Sequence, residues 1–231
     1  MQLLGKTIAS ISTAAVLMFS SFTMAEVGPW ELKEYEEDKN IQVFTRTVEG
    51  SPLDEFRGVT QIKTSVNSLV ALFKDADAAP DWMYEVTEFK AIERMSENNN
   101  IYYLVNNAPW PVTDRDIYIQ LELSADANGV VNTKITGHSD YKADREDHIR
   151  MLNLKSHWTF TPKADGMVEV VYQVHADPGG DLPSFLANTV MIETPLNSLD
   201  KMHDIIQDEK YQGKTFAFIE EAKAQQVAAT E

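Results

Sequence analysis

The chain contains no cysteine, which excludes disulfide bonds, thiolate metal sites and a cysteine nucleophile. It also lacks the short motifs of several enzyme classes, since no G-x-S-x-G elbow, no H-E-x-x-H helix and no glycine-rich phosphate loop occurs. An acidic stretch from His138 to His148 matches no zinc-binding spacing. We therefore predict no catalytic residue, no metal site and no cofactor.

Basic residues are also few. Only 20 Lys and Arg residues stand against 36 Asp and Glu residues, for a formal net charge of −16. Nucleic acids and anionic membranes attract clustered Lys and Arg. We therefore expect no nucleic-acid partner and no tight docking on anionic leaflets.

The N-terminus carries the layout of a secretory signal peptide. Lys6 is followed by an uncharged run from Thr7 to Met24, with small residues around Ala25. A membrane anchor is the less favoured alternative, because this run of about 18 residues, rich in Ser and Thr, is marginal for a bilayer span of about 20. Cleavage would leave Glu26 first and a formal charge of −17, because Lys6 is the only charged residue removed. We expect a periplasmic or secreted protein with one domain over residues 26–212 and a tail over residues 213–231.

The first half of this domain is predicted to mix short helices with a hairpin. Residues 30–38 have the pattern of a short amphipathic helix. Two strand-like runs, Ile41 to Val48 and Glu55 to Thr64, flank a Gly-Ser-Pro turn and should pair as a hairpin. Apolar spacing predicts a helix over residues 65–75, capped by Ser65, and a further helical turn that ends near Trp82.

The second half is predicted to be a meander of strands closed by a long helix. Turn-like links predict antiparallel neighbours. Apolar residues alternate with polar ones, most clearly from Ile117 to Leu123, so one face of the sheet should be apolar and the other wet. The strand candidates are Tyr84 to Met95, Ile101 to Asn107, Arg115 to Ser124, Val130 to Tyr141, Ile149 to Pro162 and Val168 to Ala176.

The closing helix is expected over residues 183–207, with an apolar stripe that includes Phe185, Leu199 and Ile206. Only the apolar sheet face is large enough to cover that stripe. The predicted fold class is therefore α+β, a strongly curved antiparallel sheet that grips one long C-terminal helix. Periodicity does not say whether the space between them is filled or hollow.

Four segments carry a resemblance to a known family. The chain reads A-P-W-P-V-T-D-R-D-I at residues 108–117 and D-P-G-G-D-L-P-S-F-L-A-N at residues 177–188, with supporting segments at 82–89 and 55–58. Together they resemble START (steroidogenic acute regulatory protein-related lipid transfer) domains. The resemblance implies a helix-grip fold with an internal tunnel that binds a lipid or other apolar molecule without catalysis. The partners of other family members do not transfer to an exported, stand-alone domain. We expect a monomer that contacts membranes transiently.

On this basis we predict a pocket wall built from the inner sheet face and the last helix. His203 lies on the same helical stripe, either as a core histidine with a hydrogen-bond partner or as a ligand contact. In some sterol-carrying relatives an arginine occupies the position of Leu121, opposite a glutamate at the position of Glu88, and its absence here weakens any transfer of sterol specificity. The predicted wall is Leu121, Trp158, Phe160, Tyr172, Phe185, Ile192, Leu196, Leu199 and His203.

Other residues have predicted structural roles. Trp110, between two prolines, should pack under the sheet edge rather than touch ligand, and Arg115 should pair with a carboxylate, since buried charge is tolerated only when paired. Gly179-Gly180 and Pro195 are either hinges or a static turn and kink. The charged loop from Lys142 to His148 is expected to be a mobile rim of the pocket mouth.

Two other classes of function stay open. A helix-grip cyclase or hydratase would need a titratable group inside the cavity, and His203 is the residue that periodicity places near it. A receptor-like interaction protein would have a filled core.

Overall fold

The computed structural model describes residues 28–181 and 184–230, and only the backbone of residues 184–188 and 226–230. The predicted signal peptide therefore lies outside the described residues. Within the described part, no helix combines the length and the apolar character needed to cross a bilayer.

Ten strands of the described part of the chain form a single curved sheet. They are β1 (Glu31–Glu36), β2 (Ile41–Arg46), β3 (Glu55–Lys63), β4 (Val86–Arg94), β5 (Asn99–Asn106), β6 (Arg115–Ala125), β7 (Val131–His138), β8 (Ile149–Arg150), β9 (Asn153–Pro162) and β10 (Met167–Asp177). Their order is β1-β2-β3-β10-β9-β7-β6-β5-β4, with the two-residue β8 beside β6. All neighbours are antiparallel except β6 and β8. The predicted meander and the β2–β3 hairpin are thus confirmed.

Within residues 28–181 and 184–230, four α-helices accompany the sheet: α1 (Val66–Lys74), α2 (Ala79–Trp82), α3 (Ser184–Ile205) and α4 (Ala217–Thr230). The predicted cap of α1 is present, since the Ser68 amide donates to Ser65 Oγ at 3.0 Å. The long closing helix is present as α3. The predicted tail carries α4, whose Ile219 is buried in the core.

Two sequence predictions need correction. Residues 31–36 form the edge strand β1 and not a helix, and five of the six are exposed. A strand with one buried face shows apolar residues at every second position, but an exposed edge strand has no such face. The mixed composition of β1 therefore resembled that of an amphipathic helix. The predicted strand from Ile149 to Pro162 is broken at Met151 and Leu152, because β8 turns away to pair in parallel with β6.

Both edges of the sheet are irregular and charged. A bulge interrupts the pairing of β1 between Leu32 and Glu34, and two bulges interrupt β4, between Val86 and Glu88 and between Ala91 and Glu93. Bulges and charged side chains are the usual protection of an exposed strand edge.

The inner sheet face is covered in two parts. Helices α1 and α2 fill one part, where Phe73 packs against Trp158 and Phe160 with ring centroids 5.1 Å and 5.2 Å apart. Helix α3 covers the part formed by β2 and β3 and approaches the sheet closely at Gly58. A Cβ atom on Gly58 would lie 2.7 Å from Leu199 Cδ1 and 2.9 Å from Pro195 Cβ. The absence of a side chain at Gly58 therefore sets the depth at which α3 is seated.

Candidate functional site: an apolar cavity under the C-terminal helix

A hollow space lies between the inner sheet face and the first half of α3. Its volume is about 360 Å³, toward the lower end of the roughly 300–1,000 Å³ typical of small-molecule pockets. Most of its lining is apolar. The lining from the sheet includes Phe56, Leu104, Ile119, Ile135, Trp158, Tyr172 and Val174.

The floor of the cavity is aromatic. Trp158 on β9 pairs in register with Tyr172 on β10, and their rings stack with centroids 3.7 Å apart. Phe56 meets Tyr172 edge-on at 5.2 Å. Burial raises the pKa of Tyr172, so its hydroxyl remains uncharged at any physiological pH. The floor therefore offers a rigid, uncharged surface to an apolar molecule.

The exposed members of the lining define the mouth. They are Glu85 after α2, Asn107 and Pro109 after β5, and Thr189 and Val190 on α3. The mouth thus lies between two sheet loops and the first turns of α3.

The two halves of helix α3 lie in different environments. Before Pro195, residues such as Val190, Met191 and Thr194 line the cavity. After it, Leu199 and Met202 are fully buried in the core. Pro195 itself is buried against Gly58 and lacks the amide hydrogen of a normal helical residue. The first half of α3 therefore covers the cavity, and the second half packs into the core.

The predicted wall residues are divided among three environments. Trp158 and Tyr172 line the cavity. Leu121 and Phe160 belong to the packed region under α1 and α2. Leu199 is in the core at Gly58, and Ile192, Leu196 and His203 are outside the described lining. The side chain of Phe185 lies outside the described residues. Ligand contact by any of these residues stays a prediction.

His203 is a partly buried histidine with a hydrogen-bond partner. Its Nε2 lies 2.9 Å from Thr60 Oγ1 on β3. Burial, reinforced by the nearby Lys39, lowers the pKa of His203 despite the carboxylates of Asp200 and Asp204. His138, His157 and His175 also lie outside the described lining. In the described part of the chain, no group of three or more His, Asp or Glu side chains is arranged to hold a metal ion.

Comparison with known proteins agrees with this architecture. The family model of the START domain matches residues 18–210, which is more than half of the chain. The chain belongs to the START-domain family. An uncharacterised protein of Pseudomonas aeruginosa is 33% identical over 190 residues, which cover 82% of this chain and 92% of that protein.

Solved START structures have the same fold. A STAR-related lipid transfer protein from Xanthomonas axonopodis superposes with a TM-score of 0.71 at 36% identity, covering 78% of this chain and 99% of the other. Human StAR-related lipid transfer protein 5 superposes with a TM-score of 0.69 at 13% identity, covering 77% of this chain and 86% of the human chain. At this low identity, the similarity to the human protein shows the shared fold alone.

In this START domain, Arg115 and Asp116 of the D-R-D segment are adjacent on β6, so their side chains lie on opposite faces of the sheet. Asp116 faces outward, where its carboxylate accepts from Arg150 Nε at 2.8 Å, from Arg150 Nη2 at 3.0 Å and from the Tyr103 hydroxyl at 2.8 Å. Burial alone would raise the pKa of Asp116, but these donors hold it below its usual range. The arginine that pairs with Asp116 is therefore Arg150 and not Arg115.

Arg115 instead lines the cavity of the START domain, although only 5% of it is exposed. Its Nη1 donates to the Thr113 carbonyl, while its Nε and Nη2 have no hydrogen-bond partner among the described residues. The predicted pairing of Arg115 with a carboxylate is wrong for Asp116, because strand alternation turns the two side chains apart. Asp114 attracts Arg115, but its Oδ1 accepts from the Ala108 amide. Alternation with Ile117, an inner-face residue, is the sequence signal that would have placed Arg115 inside.

The loop from Lys142 to His148 is not a rim of the mouth, since none of its residues lines the cavity. It covers the outer face, where Arg150 Nη1 donates to the carbonyls of Ser139 and Lys142 at 2.9 Å and 3.0 Å. Arg145 ties the loop to Glu88, with 3.6 Å between Nη1 and Oε1. Glu88 is thus an outer-face residue with a partner of its own.

Trp110 does not pack under the sheet. It is 92% exposed, at the tip of a loop in which the Val112 amide donates to the Pro109 carbonyl and the Ala108 amide donates to Asp114 Oδ1. These bonds fix the conformation of the loop beside the mouth. The indole of Trp110 projects into solvent.

Sequence reasoning also missed the polar members of the lining. The Tyr84 hydroxyl donates to Glu193 at 2.7 Å, and the Tyr84 amide donates to Ser198 Oγ at 3.0 Å. These two bonds fasten the turn after α2 to the middle of α3. Ser156, on the sheet side, is buried and its Oγ has no described partner.

Proposed function

We propose that this protein binds a lipid or another apolar molecule in the cavity, carries it through the periplasm and performs no chemistry on it. The observation that carries the proposal is the apolar cavity of about 360 Å³ between sheet and helix. Exposing an apolar chain to water costs about 25 cal/mol per Å², so a soluble carrier must enclose most of its ligand. The predicted signal peptide supports a location outside the cytoplasm.

The position of His203 favours carriage over catalysis. A cyclase or hydratase needs a titratable group that faces the substrate, and His203 instead binds Thr60 outside the described lining. The carboxylates at the cavity, Glu85 and Glu193, are occupied by Asn107 and Tyr84. The hollow interior likewise disfavours an interaction protein with a filled core.

We expect Ser156→Phe to weaken ligand binding by about tenfold or more, because overpacking costs about 1–3 kcal/mol. The new ring would occupy the cavity beside Ile135 and Val174, its neighbours in register. Native mass spectrometry of protein purified from its own cell envelope, with identification of the extracted lipid, measures the loss. The same spectrum reports whether the chain begins at Glu26.

Lys155→Phe is the matched control, because Lys155 precedes Ser156 on β9 and is exposed on the outer face. It should retain the ligand of the wild type. A ligand-free wild-type protein, or equal retention by the two variants, would count against the carrier proposal.

Membrane contact is proposed to occur through an apolar rim around the mouth, formed by Trp110, Leu152 and Val190. These side chains are 92%, 63% and 43% exposed. Trp110 follows Pro109 of the mouth, and Leu152 follows Met151 of the lining. Tryptophan suits the interface between water and lipid, whereas the strongly acidic chain disfavours anionic headgroups. We propose a monomer that touches zwitterionic bilayers with this rim.

Trp110→Ser is expected to weaken binding to phosphatidylcholine vesicles about tenfold, because burial of a large apolar side chain contributes about 1.5–3 kcal/mol. Co-sedimentation with vesicles measures the change. Leu32→Ser, at an exposed position of β1, is the control. Equal vesicle binding by the two variants would disprove the role of the rim.

A further inference from the structure

The cavity contains one buried cation whose hydrogen-bonding capacity is largely unused. Arg115 is 5% exposed, and two of its three guanidinium nitrogens, Nε and Nη2, lack a partner in the described part of the chain. Buried polar atoms are nearly always paired, and an unpaired buried charge is costly. These two nitrogens therefore form a donor pair that a bound molecule can satisfy.

The other charged groups near the mouth are already occupied. Glu85 accepts from Asn107 Nδ2 at 2.6 Å, and Glu193 accepts from the Tyr84 hydroxyl at 2.7 Å. Asp114 directs its Oδ1 to the backbone amide of Ala108 at 2.9 Å. Arg115 is thus the charged lining group that is free to receive a ligand among the described residues.

Arg115 lies at the polar end of the cavity. It pairs in register with Asn106 on β5, the residue before Asn107 of the mouth, and both line the cavity. The same wall continues through Leu104 and Ile119 to the aromatic floor at Trp158 and Tyr172. The polarity changes from a cation near the mouth to apolar side chains deeper in the cavity.

We infer that the cavity takes an amphiphile with one hydrocarbon chain and an anionic oxygen head group, carboxylate or phosphate, that accepts hydrogen bonds from Nε and Nη2 of Arg115. Arginine presents these nitrogens as a planar fork that matches such oxygens. The volume of about 360 Å³ suits one chain better than two. This inference rests on the proposed carrier function.

The test compares three probes with the same chain: hexadecanoate, hexadecyl phosphate and hexadecanol. We expect the wild type to bind one or both anions more tightly than the alcohol, by about 10-fold to 100-fold, because hydrogen bonds to charged groups contribute this much. Arg115→Met should remove that preference, because it should weaken the binding of both anions far more than the binding of hexadecanol. Arg115→Lys should retain part of it. The anion that binds more tightly identifies the head group.

If Arg115 had only a structural role, its variants would be less stable than the wild type. The proposed role in ligand binding predicts the opposite. Removal of an unpaired buried charge should leave the ligand-free protein at least as stable as the wild type, so thermal unfolding of Arg115→Met without ligand should show no loss. Arg94→Met, at an exposed position of β4, controls for the change in net charge. Destabilisation of both Arg115 variants would overturn the inference.

The two proposals fail in distinguishable ways. Equal binding of all three probes, unaffected by Arg115→Met, would overturn the anionic head group and leave the carrier function intact. A wild type that binds none of the probes would overturn both.

Discussion

Arg150→Met is expected to lower the free energy of unfolding by about 3–5 kcal/mol, because it leaves the buried Asp116 carboxylate without its charged partner. Arg150 binds both oxygens of that carboxylate and also holds the carbonyls of the loop over the outer face. Urea unfolding at neutral pH measures the loss.

The size of this loss should depend on pH. The pKa of Asp116 in the folded protein is below its usual range, so the pair stabilises the wild type at pH values above about 3.9, the ordinary pKa of the unfolded carboxyl. That stability disappears as the pH falls toward the lower pKa of the folded state. The difference between wild type and variant should therefore narrow below about pH 4.

Lys134→Met is the control for this experiment. Lys134 forms an exposed cross-strand pair with Glu122 at 3.5 Å, and such pairs contribute about 0–1 kcal/mol. The double variant Asp116→Asn with Arg150→Met should recover part of the loss, since no unpaired buried charge remains. If Arg150→Met lowered the free energy of unfolding no more than Lys134→Met does, the proposed contribution of the Arg150–Asp116 pair would be contradicted.

Gly58→Val should destabilise the protein by at least about 3 kcal/mol, the upper end of the usual cost of overpacking. The valine would collide with Leu199 and with the ring of Pro195, which is rigid and belongs to the helix backbone. Because these contacts seat α3, the displaced helix would also alter the cavity cover. Thermal unfolding and lipid uptake should both report the change.

Two variants test the steric cause. Gln61→Val lies on the same strand but on its exposed face, so it should change stability little. Combining Gly58→Ala with Leu199→Ala should cost less than the sum of the single changes, because the shortened side chain makes room. Strict additivity would show that the close approach does not limit this packing.

Most of the fold follows from local patterns in the sequence. Alternation between Ile117 and Leu123 predicted the inner face of β6, and Ser65 predicted the start of α1, because a half-buried strand and a helix cap each leave a short-range signal. The edge strand β1 leaves no such signal. Its side chains contact water on both faces, so nothing in their order distinguishes a strand from a helix.

The cavity was harder to predict because periodicity identifies the inner face but not what covers it. Leu121 and Phe160 point inward as predicted, yet α1 and α2 fill the space before them. Leu199 lies on the predicted stripe, but it packs into the core because Gly58 has no side chain to occupy that space. Which inward residues meet empty space depends on contacts between distant segments.

The bulges and charges of β1 and β4 affect how two copies of this chain can meet. An open sheet presents two ladders of unpaired backbone groups, and a flat ladder invites a second copy to add its own strand. Here each ladder is kinked and lined with Glu, Lys or Arg. Polymerisation by strand addition is therefore resisted at both ends of the sheet, and the residues that misled the secondary-structure prediction contribute to that resistance.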